Sequence, residues 1–94
     1  MSLLKVNLSL PYAEANALVF DLLHRGSCTI GDRQVMMPSL HMPVPTKKSD
    51  HILWSCDLKV STPGPDAKLS EIRQYRDRVE LDVWPWASVI VRFI

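Results

Sequence analysis

Seven residues near the start of the chain, Leu4-Lys5-Val6-Asn7-Leu8-Ser9-Leu10, alternate without a fault between apolar and polar. Successive side chains of a strand point to opposite faces, so extended chain gathers Leu4, Val6, Leu8 and Leu10 on one side, whereas a helix would scatter them. The signature returns from His51 to Ser61, where Ile52, Trp54, Cys56, Leu58 and Val60 alternate with Leu53, Ser55, Asp57 and Lys59. It returns again where Val79, Leu81 and Val83 alternate with Glu80, Asp82 and Trp84. A fold for this chain must therefore hold a sheet with one apolar face and one polar face.

The segments between these strands carry different signals. Pro11 suits the first position of a helix, Glu14 sits near the positive end of its dipole, and Ala15, Leu18, Val19, Leu22 and Leu23 form a helical stripe. Gly26 ends that helix, just after His24 and Arg25. Residues 27–37 read as extended, with Gly31-Asp32 either a bulge in one strand or the turn of a hairpin. Residues 38–50, with Pro38, Pro43 and Pro45, make a long irregular connection. After the turn Thr62-Pro63-Gly64-Pro65, Asp66 is placed to cap a second helix, and Leu69, Ile72, Arg76 and Val79 follow helical spacing; this helix is expected to end near Asp77. Pro85 interrupts the last extended region, and Ala87 to Ile94 closes the chain.

The order strand, helix, strand, strand, helix, strand resembles the ferredoxin-like superfold in its sequence of elements. That resemblance implies one α+β domain over residues 1–94, with a four-stranded antiparallel sheet and both helices on one face. Pro85 agrees with a fourth strand at the sheet edge, and the breaks at Gly31-Asp32 and Pro85 could each add a strand, giving five or six. A superfold of this kind implies no function.

Composition narrows the function classes. With 94 residues, 11 basic and 10 acidic side chains, and apolar runs no longer than Ala87 to Val91, the chain offers neither a membrane-spanning helix nor a general attraction to nucleic acid. Two cysteines, Cys28 and Cys56, and no secretory signal point to free thiols and a cytoplasmic location. His24, Cys28, His41, His51 and Cys56 lack the short spacing of a zinc site, and the soft cluster Met36-Met37 with His41-Met42 is explained by packing, so no metal or cofactor is expected. No nucleophile motif is present, so no catalytic residue is assigned. Glu80 and Asp82, two apart on one strand, read as solvated surface near Lys5 or Lys59. The cluster Arg73, Arg76 and Arg78 reads as ion-paired along the second helix with Glu71, Asp77 and Glu80.

What stays open is the polar side of the sheet. The expected role is a small accessory module, homo-oligomeric, that recognises a protein or ligand on that face without catalysis. Trp84 and Trp86 are its anchors, because tryptophan is enriched at binding hot spots. Lys5, Asn7, His51, Asp57 and Lys59 are its polar partners. The apolar C-terminal run from Val89 to Ile94 is the reason to expect a second subunit. One alternative is a small enzyme with a pocket between the sheet face and a partner subunit, using His51, Asp57 and Asn7 as acid, base and orienting groups. A second alternative is a nucleic-acid-binding domain, which shares the topology but lacks the strand-borne aromatic pattern.

Overall fold

The computed structural model describes residues 4–37, 44–56, 58 and 67–94. In chain order they form Leu4–Leu10 (β1), Tyr12–Arg25 (α1), Ser27–Ile30 (β2), Arg33–Met36 (β3), Thr46–Lys47 (β4), Ile52–Ser55 (β5), Ala67–Gln74 (β6), Arg78–Trp84 (β7) and Ala87–Phe93 (β8). The strands make one mixed sheet in the order β1-β8-β7-β6-β3-β2, with β5 joined to the far end of β6 and β4 to β5. It is curled into a half-barrel around α1.

This is not the ferredoxin-like sandwich: one described helix stands where two were expected, and the sheet has eight strands and is not all antiparallel. The second helix is strand β6, and a bulge explains the misreading. Leu69 pairs with Val83 and Glu71 with Asp82, so Ser70 is an extra residue on the β6 side. That insertion lets Leu69 and Ile72, three apart, both point into the core at 1% and 0% exposure. A bulged strand thus copies the i, i+3 spacing that otherwise marks a helix.

Other expectations hold at the level of local chemistry. Helix α1 begins after Pro11, whose carbonyl accepts the first intrahelical bond from Ala15 at 3.0 Å, and ends at Gly26 in the left-handed conformation. Gly31-Asp32 is the turn of a hairpin closed by Ile30 and Arg33, with Gly31 at positive φ, as a two-residue turn with glycine first requires. Pro85 does not mark an edge strand. It sits behind a cis peptide bond in the β7–β8 turn, where the Trp86 N–H donates to the Val83 carbonyl at 3.0 Å, and both strands are interior. The strand expected over 51–61 is described only as the short β5.

The first and last described strands pair in this sheet: β1 runs parallel beside β8 from Leu4 opposite Ala87 to Leu10 opposite Phe93. The core lies between the inner sheet face and α1. Val35, Leu69, Ile72, Leu81, Val83, Val89 and Val91 are buried from the sheet, and Ala15, Val19 and Leu22 from the helix. On β8 the inward residues Ala87, Val89 and Val91 are fully buried, while Ser88, Ile90 and Arg92 face outward. Its apolar excess is mostly ordinary core, so an argument for a second subunit cannot rest there.

Candidate functional site: the polar outer face of the sheet

The residues that alternate with the core form the other face, which no described helix covers. Strand register aligns them in rows. One row runs Lys5, Ser88, Asp82, Glu71, Ser55 across β1, β8, β7, β6 and β5. The next runs Asn7, Ile90, Glu80, Arg73, Leu53. Along β7 the outward column is Arg78, Glu80, Asp82 and Trp84, each half-buried between neighbouring strands.

Arg73 is the hub. Its Nη1 donates to Glu71 at 2.6 Å and to Asp82 Oδ2 at 3.0 Å, its Nη2 to Asp82 Oδ1 at 3.2 Å, and its Nε to Glu80 at 3.1 Å. The planar guanidinium offers a fixed fork of donors, and three carboxylates on two strands surround it. Ser88 donates to the same Asp82 at 3.2 Å, and Arg78 Nε to the second oxygen of Glu80 at 2.7 Å. The hydrogen bonds from Arg73 hold the Asp82 carboxyl below its usual range against the opposing effect of burial. Burial likewise disfavours ionised Glu80, but hydrogen bonds from Arg78 and Arg73 outweigh it and keep its carboxyl low. The guanidinium of Arg73 is raised in turn, first by its bonds to Asp82. Glu80 and Asp82 are therefore ionised, saturated members of a cross-strand lattice rather than loose solvated charges. Arg73 and Arg78 sit on strands, not along a helix.

At the end of the face nearest Arg78 the lattice continues into stacked rings. The Arg78 guanidinium lies 3.9 Å from the Tyr75 ring centre, and Tyr75 packs against the His51 ring at 4.6 Å. His51 Nδ1 is 2.8 Å from Asp50 Oδ1, and this bond lowers the Asp50 carboxyl. Trp84 stands at the opposite end, opposite Lys68.

The sequence-derived site residues thus separate. Lys5 and Asn7 are exposed on β1, Trp84 and His51 mark the two ends of the face, and Asp57 and Lys59 lie outside the described residues. Trp86 packs against the core, with the Arg33 guanidinium 5.8 Å from its ring. Sequence reasoning paired Arg73 with Glu71 and Glu80, as the structure does, but set the pairs along a helix and left Asp82 out. The signal was the i, i+2 pair Glu71-x-Arg73, which matches Glu80-x-Asp82 in period, but the bulge just before it disguised the strand.

The two thiols take no part in this face. Cys28 is buried, and burial, helped by the Asp21 charge, pushes its thiol up to about 12. Cys56 Sγ donates to the Leu69 carbonyl at 3.0 Å. Among the described residues no group of His, Cys, Asp and Glu is placed to hold a metal ion, and no described helix is long and apolar enough to cross a membrane. No family model, curated protein or solved structure matches the chain.

Proposed function

We propose that this domain is a small recognition module that binds a protein segment of mixed charge on the outer face of β5 to β8. The observation that carries the reading is the lattice centred on Arg73, whose charges are held in place on a face left uncovered by the described helix. Its side chains are tied to one another by hydrogen bonds, so a partner meets positioned charges and loses less side-chain entropy on docking. Trp84 at one end and the Tyr75–Arg78 stack at the other supply the aromatic and arginine surface that dominates binding energy at interfaces. Trp86 is left out because it packs against the core. The thiol state of Cys28 and Cys56 suits a reducing compartment, so the proposed location is the cytoplasm.

Selection from a random peptide library on the folded domain tests this. Peptides enriched by the wild type should lose at least about tenfold in affinity on Trp84→Ala or Arg78→Ala, the loss typical of an interface hot spot. Melting temperatures should hardly change. Peptides that ignore both substitutions, or a library that yields none, would sink the reading.

A further inference from the structure

Among the described strands, β1 is the outermost on its side of the sheet. It pairs with β8 on one edge, and among the described residues nothing pairs with the other. Natural proteins blunt such edges with short strands, prolines, bulges or charged side chains, lysine above all. β1 has none of the first three: it is seven residues long, lacks proline, and keeps unbroken register with β8. Its single charge is Lys5. The opposite edge, β2, is only four residues long.

The direction of the unpaired groups follows from one bond. Ile94 N–H donates to the Leu10 carbonyl at 3.0 Å, so Leu10 turns its backbone groups toward β8. Backbone direction alternates along a strand, so Leu8, Val6 and Leu4 do the same, and Lys5, Asn7 and Ser9 point theirs outward. These three are centred on Asn7, and the side chains around Asn7 are close to a palindrome: Leu, Lys, Val, Asn, Leu, Ser, Leu.

We propose that β1 pairs antiparallel with the β1 of a second copy of this chain, about a two-fold axis at Asn7. Asn7 then faces the partner's Asn7, and Lys5 faces the partner's Ser9. Every outward amide and carbonyl is used, in about six hydrogen bonds, two for each such pair. Side chains match as well. On the inner side Val6 meets the partner's Leu8 and Leu4 meets the partner's Leu10, while on the outer side no like charges stand opposite one another. Leu4, 63% exposed, is carried to the end where Phe93 and Tyr12 meet edge-on at 5.1 Å and where Tyr12 and Ile94 are 60% and 79% exposed. The exposed apolar group at one end of the strand thus fits the exposed apolar cluster at the other, as a self-complementary interface requires. The pairing joins the two outer faces into one continuous surface, and it is independent of the peptide-binding reading above.

Sedimentation of the full chain from low to high micromolar concentration provides the test, with two variants at the exposed Asn7. Asn7→Lys sets two cations face to face across the axis but is an ordinary surface change in a monomer. Asn7→Pro removes an outward N–H and leaves the β8 ladder intact. A dimer of twice 10.7 kDa is expected for the wild type. The dissociation constant should rise at least about tenfold in Asn7→Lys, partly restored by salt, and Asn7→Pro should be monomeric with an unchanged circular dichroism spectrum. A wild-type monomer, whether its β1 amides are bare or protected by another part of the chain, overturns the proposal. So does a dimer indifferent to both substitutions.

Discussion

Arg73 shows how one side chain can define a surface. Its guanidinium is in contact with Glu71, Glu80 and Asp82 at 2.6, 3.1 and 3.0 Å, and its own side chain is 19% exposed. Arg73→Met keeps much of the aliphatic stem but leaves three carboxylates facing one another, and should cost about 1–3 kcal/mol at pH 7, the lower end reflecting solvent screening. The pH dependence gives the mechanism away. Asp82 and Glu80 are lowered in the folded protein, so their contribution is complete above the ordinary carboxylate value of about 4 and is lost as pH falls through the depressed folded values. The stability gap between wild type and variant, measured by urea unfolding, should be widest near neutrality and close toward about pH 2. A gap that does not change with pH would mean that Arg73 acts only through the packing of its stem. Ion pairing of Arg73 with Glu71 and Glu80 was legible from residue types, but its cross-strand form and the place of Asp82 in it were not, because only the β6–β7 register brings the four together.

At the scale of elements, α1 is the one most fully written in local sequence. Its start at Pro11, its buried stripe of Ala15, Val19 and Leu22, and its stop at Gly26 all follow from residues within a few positions of each other. Gly26 has φ 79°, and a Cβ built there meets nothing within 4 Å. Gly26→Ala should therefore cost about 1 kcal/mol from backbone conformation alone, and Gly26→Asn less. Equal melting curves for all three proteins would refute that account, and a loss above about 3 kcal/mol would point to a clash that the structure does not contain. β6 is the contrary case. Its identity depends on Ser70 bulging out of the pairing with β7, a choice made by β7 rather than by the hexapeptide around Ser70. Reading Leu69, Ile72, Arg76 and Val79 as a helical face follows from treating local spacing as sufficient, and here a neighbouring strand overrode it.

For the molecule as a whole, α1 fills the concave side of the half-barrel, packing on β2 and reaching β8. Leu22 is 0% exposed at that junction, whereas Phe20 on the same helix is 55% exposed and stacks on His24. Leu22→Ala should cost about 2–5 kcal/mol and Phe20→Ala less than about 0.5 kcal/mol in chemical unfolding. The reverse ranking would mean that the helix docks by its other face. The sequence by itself determined the alternating strands β1 and β7, the first helix with both its ends, and the breaks at Gly31 and Pro85, though not that the first is a hairpin turn or that the second joins two interior strands, because alternation, caps and breaks are properties of a few adjacent residues. Tertiary structure alone decided that β1 lies beside β8 and at the edge of the described strands, that β6 is a strand, and that Arg73 gathers carboxylates from two strands. Those outcomes depend on contacts between residues far apart in the chain, and no local pattern carries the free energy of such a contact.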